Sequence, residues 1–146
     1  MSDVDSLSIA ITKTFSLKNA LFRTFDPTGL VPSVNKTQER VLMMSWKLKG
    51  ASMRFLSREA GLEKGSLTTV VDSLEALGLV TRTRQEDDRR SFIVRPTAKG
   101  LALARRIDAL FRAHLDALLA KLGDDERARF EEAIRTVARD IPRLME

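Results

Sequence analysis

Residues 65–96, GSLTTVVDSLEALGLVTRTRQEDDRRSFIVRP, change period in mid-course. Leu67, Val70, Val71, Leu74 and Leu77 stand at i, i+3, i+4, i+7 and i+10, the stripe of an amphipathic helix that starts near Lys64 or Gly65, and Gly78 supplies a stop. LVTRTR (79–84) and RSFIVR (90–95) then alternate as two short strands, joined by QEDDR (85–89) as a hairpin loop. Off the apolar stripe lie Lys64, Ser66, Thr68, Thr69 and Asp72, mostly short polar side chains that let a helix approach base edges closely. The same residues also fit a plainer reading, in which Ser66 caps the helix and the threonines face water. Arg82, Arg84, Arg89, Arg90 and Arg95 fall within 14 residues. Guanidinium groups at that density suit phosphate oxygens and a narrow minor groove, since each is planar and permanently charged.

Working outward, Ser52 is placed to cap a short helix through Phe55, Leu56 and Ala60 that closes at Gly61. Before it, Asn35 with Gln38 three residues on forms a capping box for a helix carrying Val41, Leu42, Met44, Trp46 and Leu48 and ending at Gly50. DPTGLVPS (26–33) breaks the chain between that helix and a first one over 5–25, with Leu7, Ile11, Phe15, Leu17, Leu21, Phe22 and Phe25 on its apolar side. A long helix from about Thr97 runs through Leu122 to Gly123, and a last one opens on an acidic turn that suits the helix dipole. Two short helices, the second amphipathic and followed at once by a hairpin, have the order of a winged helix-turn-helix. The expected fold class is mostly α with a small β-hairpin wing. The charge agrees: residues 36–99 hold 13 Lys or Arg against 8 Asp or Glu, which accounts for the whole net +5, while 1–35 and 100–146 are each neutral. A basic centre between neutral flanks points to a polyanion-facing module.

The stretch 55–100 resembles the DNA-binding lobe of the MarR family of bacterial transcriptional regulators, on VDSLEALGLV (71–80), DRR (88–90) and PTAKG (96–100). The resemblance implies one domain over 1–146, with a DNA-binding lobe at 36–99 and dimerisation helices at 1–30 and 100–146. It implies that Ser66, Thr68 and Thr69 face the major groove, and Lys64, off the same apolar stripe, is the fourth DNA-binding candidate of that helix. Arg82, Arg84, Arg89 and Arg90 serve the wing, with Arg90 in the minor groove and Asp88 bracing the tip. Pro96, Gln85 and Thr69 depart from the family's usual leucine, aspartate and longer basic residue. A cleft for a small aromatic effector is also implied, for which Phe15, Phe22, Met44, Trp46 and Phe111 are the candidates.

Other classes are disfavoured by what the chain lacks. There is no cysteine, one histidine (His114), no tyrosine and no glycine-rich phosphate loop, so no metal site, cofactor or enzymatic activity is expected. No run of about 18 apolar residues and no basic-plus-apolar leader appear, which predicts a cytoplasmic protein without a membrane partner. The outer helices carry more apolar surface than one small lobe needs, so a homodimer on a pseudo-palindromic duplex is expected, the competing arrangement being a monomer whose long helices fold back onto the lobe. The competing function is a winged-helix module that docks on protein; RQEDDRR lacks the apolar patch such a surface favours.

Overall fold

The computed structural model describes residues 3–27, 29–30, 32–88 and 91–144. Among them are six helices and one three-stranded antiparallel sheet of order β1-β3-β2. The chain divides into two compact units, Asp26–Ala109 and a terminal unit made of Met1–Phe25 with Leu110–Glu146.

The central unit begins with α2 (Lys36–Lys47). Its capping box forms: the Asn35 side chain accepts from the Thr37 and Gln38 N–H groups, and the Asn35 N–H donates to Gln38 Oε1 at 2.9 Å. The same Gln38 amide donates through Nε2 to Ser73 Oγ at 2.8 Å, so one side chain both starts α2 and docks it on a later helix. Lys49, at φ 55, and Gly50, at φ 117, turn the chain into β1 (Ala51–Ser52). This strand of two residues pairs with β3 and escapes sequence reading, because two residues are too few to show a period. Ser52 caps α3 (Met53–Ala60) by accepting from the Phe55 N–H, and Gly61 ends it in the left-handed region. Arg40 donates to the Ala60 carbonyl at 3.1 Å and holds α2 to the end of α3.

α4 (Lys64–Ala76) follows, then β2 (Val80–Arg84) and β3 (Phe92–Pro96), paired with Arg82 opposite Val94 and Arg84 opposite Phe92. α5 (Ala98–Leu119) starts on Thr97, whose Oγ1 donates to the Gly78 carbonyl and accepts from the Gly100 N–H. Gly100 lies so close to the chain that a Cβ there would come within 1.8 Å of the Leu79 carbonyl oxygen. Val41, Leu42, Leu56, Leu67, Val71, Leu74, Leu79, Val94 and Ala104 have no exposed surface or almost none, and they form the core of this unit.

The terminal unit comprises α1 (Asp3–Thr24), the second half of α5 and α6 (Asp124–Leu144). α5 stops at Leu119, three residues before the expected end, and a turn over 120–122 leads to Gly123. Phe22 stacks on Phe111 with ring centroids 5.6 Å apart, and Phe25 meets Phe111 edge-on at 5.2 Å. The Thr24 hydroxyl donates to the Ala20 carbonyl and shares a 2.9 Å hydrogen bond with His114 Nε2. Arg127 spans Asp116 at 2.5 Å and Glu131 at 2.8 Å, and Arg135 adds a second donor to Glu131. Hydrogen bonding from Arg127 holds the Glu131 carboxyl below the usual carboxylate range, against the effect of desolvation.

Candidate nucleic-acid interface

On α4 the sequence pattern becomes two faces. Leu67, Val71 and Leu74 are buried, with Val70 and Leu77 half-buried, while Lys64, Gly65, Ser66, Thr69 and Asp72 are exposed and Thr68 is half-buried. The N-cap is Glu63, so Ser66 sits inside the helix with its side chain outward. The Thr68 hydroxyl donates to the Lys64 carbonyl at 2.9 Å and the Thr69 hydroxyl to the Gly65 carbonyl at 3.2 Å. With their protons committed to the helix, the two hydroxyls keep only acceptor capacity for a further partner.

The hairpin is closed by two backbone bonds, Gln85 N–H to the Ser91 carbonyl and Ser91 N–H to the Asp88 carbonyl, each 2.9 Å. Asp88 is exposed at this tip. Arg89 and Arg90 lie outside the described residues. Arg84 is exposed, with its guanidinium 5.7 Å from the centre of the Phe92 ring. Arg95 donates to Thr83 Oγ1 at 2.9 Å.

Arg82 is engaged within the lobe. Its Nη2 lies 2.5 Å from Asp72 Oδ1 and 2.7 Å from Glu75 Oε2, both on α4, and its backbone N–H donates to Glu75 Oε1 at 3.0 Å. Partial burial opposes the charged form, but hydrogen bonds and charge from Glu75 and Asp72 outweigh it and raise the pKa of the guanidinium. Sequence reading grouped Arg82 with the other arginines and assigned Glu75 no role. Alternation puts Arg82 and Arg84 alike on the face of β2 that bears the buried Val80, so parity does not tell the two apart; the α4 carboxylates that Arg82 reaches do.

The candidate cleft residues divide between the units. Phe22 and Phe111 line a groove of about 660 Å³ on α1, α5 and α6, together with Leu21, Leu115, Phe130 and Ile134. Phe15 is 64% exposed on α1, and Met44 and Trp46 are half-buried on α2 of the central unit. Phe130 is a groove residue that sequence reading did not single out. Among the described residues, no group of three His, Asp or Glu could hold a metal ion, and no helix is long and apolar enough to cross a membrane.

Residues 34–92 match the model of the MarR family. The HTH-type transcriptional repressor Rv2887 of Mycobacterium tuberculosis is 31% identical over 99 residues, which cover 68% of this chain and 71% of that protein. Among solved structures, the transcriptional regulator BldR of Sulfolobus solfataricus superposes with a TM-score of 0.71 at 23% identity, over 98% of this chain and 99% of that one. The PcaV transcriptional regulator of Streptomyces coelicolor, solved in complex with its natural ligand, gives 0.57 at 26% identity, over 88% of this chain and 89% of that one.

Proposed function

The chain belongs to the MarR family, and from that premise we propose that it is a cytoplasmic, homodimeric repressor that reads a pseudo-palindromic duplex and releases it when a small aromatic ligand binds. The observation that carries the reading is the exposed polar face of α4, with Lys64, Ser66 and Thr69, next in sequence to a hairpin bearing the exposed Arg84. Lys64, Arg84, Arg89 and Arg90 supply sequence-independent phosphate and minor-groove contacts. Thr68 and Thr69 act on bases as acceptors or through their methyl groups, because their protons are already donated. That favours the amino groups of adenine or cytosine and the thymine methyl. Asp88 shapes the tip.

The terminal unit supports the two-fold arrangement. Of the large apolar residues left exposed among those described, all but Leu48 lie there, including Leu7, Ile11, Val137 and Ile141. A second copy removes that surface from water and sets two α4 helices about one DNA turn, 34–36 Å, apart. The aromatic groove of the same unit and the ligand-bound PcaV relative support an effector. Such a ligand acts only through different affinities for the DNA-competent and other states.

The test is selection of random duplexes on the purified protein, followed by binding of the enriched pool across a salt series and in the presence of a panel of small aromatic compounds. The expected result is a pseudo-palindrome with half-sites one turn apart, a steep loss of affinity with salt, and weakening by at least one small aromatic compound. Absence of enrichment, with weak binding that vanishes at moderate salt, would remove the DNA-reading role and leave the protein-docking module.

A further inference from the structure

The interaction of Arg82 with α4 assigns it a part different from that of the other wing arginines. We propose that Arg82 is a positioning residue: it locks β2 to α4 through Asp72 and Glu75, sets the angle between reading helix and wing, and does not itself contact DNA. The inference rests on the DNA-reading function proposed above and names how that site is held in shape.

Three observations converge. First, alternation puts Arg82 and Arg84 on the same face as Val80, but Arg82 stands between Val80 and its own cross-strand partner Val94, which are 2% and 0% exposed, whereas Arg84 stands farther out, opposite Phe92. A guanidinium rooted there emerges beside α4, and its side chain is 27% exposed. Second, its contacts are doubled. Glu75 receives both the backbone N–H and Nη2 of Arg82, so strand and side chain are tied to one carboxylate, and Asp72 receives Nη2 one helical turn earlier. Charge-assisted bonds converging from two helical turns restrain rotation as well as distance. Third, Asp72 is exposed on the face of α4 that carries Thr69. An unpaired carboxylate there would repel phosphates, and Arg82 cancels that field where it arises.

A phosphate-contacting Arg82 and a positioning Arg82 predict opposite signs at Glu75. If Arg82 bound phosphate, Glu75→Gln would free the guanidinium, remove a negative charge and strengthen DNA binding. If Arg82 positions, the same substitution loosens the wing and weakens binding. With the enriched duplex as probe, Arg82→Met and Glu75→Gln are each expected to lower affinity by about tenfold, and the double variant by no more than the worse single one. The slope of log affinity against log salt stays at the wild-type value, whereas loss of a phosphate contact reduces it by about 0.9. Arg82→Lys keeps one of the two ion pairs and is expected to recover part of the loss.

The absence of cysteine permits a second measurement that needs no DNA. Nitroxides on Ser66→Cys and Gln85→Cys report the separation of α4 and wing by pulsed electron resonance. The distribution is expected to broaden in both Arg82→Met and Glu75→Gln while circular dichroism stays that of a folded helical protein. A salt slope reduced by one contact, tighter binding by Glu75→Gln, or an unchanged distance distribution would each overturn the proposal. Should no duplex be enriched, the DNA-reading function falls, and the nitroxide distances alone decide whether Arg82 holds the wing.

Discussion

Gly100 shows how much one hydrogen atom in place of a methyl group decides. It stands one turn into α5, where a Cβ would meet the Leu79 carbonyl oxygen at 1.8 Å, and neither the helix backbone nor the start of β2 can yield that distance cheaply. Gly100→Ala is therefore expected to destabilise the central unit by about 3 kcal/mol or more, seen as a fall in Tm on the order of 10 °C. Gly65, in the first turn of α4, is the control, since an added Cβ there meets nothing within 4 Å. Gly65→Ala is expected to raise stability by up to about 1 kcal/mol, because alanine loses less backbone freedom in a helix. Equal effects of the two substitutions in a thermal melt would show that close approach is not what position 100 requires. The glycine of PTAKG was visible in the sequence, but its cause was not: the obstacle is a backbone atom 21 residues earlier.

At the scale of elements, two polar clusters connect helices. Gln38 accepts from the Asn35 N–H and donates to Ser73, so Gln38→Ala removes half of a capping box and a bond from α2 to α4 together. Its expected cost is about 1–2 kcal/mol, measured by urea unfolding, and Ser73→Ala should cost less because it leaves the cap intact. In the terminal unit, Arg127 holds the Glu131 carboxyl below its ordinary range. A depressed carboxyl favours the folded state fully above the unfolded pKa, and that advantage is lost as pH falls through the folded one. The gap in Tm between wild type and Glu131→Gln is thus expected to be greatest near neutrality and to close below the ordinary carboxylate range. A gap independent of pH would assign the effect of the substitution to packing.

For the whole molecule, the terminal unit poses the larger question of what covers it. α6 has no buried residue among those described, yet it carries Ile134, Val137 and Ile141 at helical spacing. Val137→Asp puts a charge on that row and leaves the core of the central unit untouched. With a second copy as the cover, the substitution is expected to shift the chain to monomer in sedimentation, weakening self-association by about 100-fold, equivalent to about 3 kcal/mol. Operator binding should fall with it, since a single lobe reads half a site. A Val137→Asp protein that remains dimeric would move the interface to another face.

Local pattern in the chain specifies the six helices, the two strands of the hairpin and their order. Asn35, Ser52, Gly61 and the stripe of α4 act over four residues or fewer, so their geometry is written locally and no distant partner can change it. Tertiary structure decided what the polar groups do. Arg82, Arg84 and Arg95 look alike in the chain, yet one pairs with two carboxylates on α4, one lies over Phe92 and one bonds Thr83. A guanidinium takes whichever acceptor or ring packing brings within reach, and long flexible side chains leave that choice open until the backbone elements have met. The two-residue β1 and the glycine at position 100 are further cases, because each is defined by a segment remote in sequence that approaches only in the folded state.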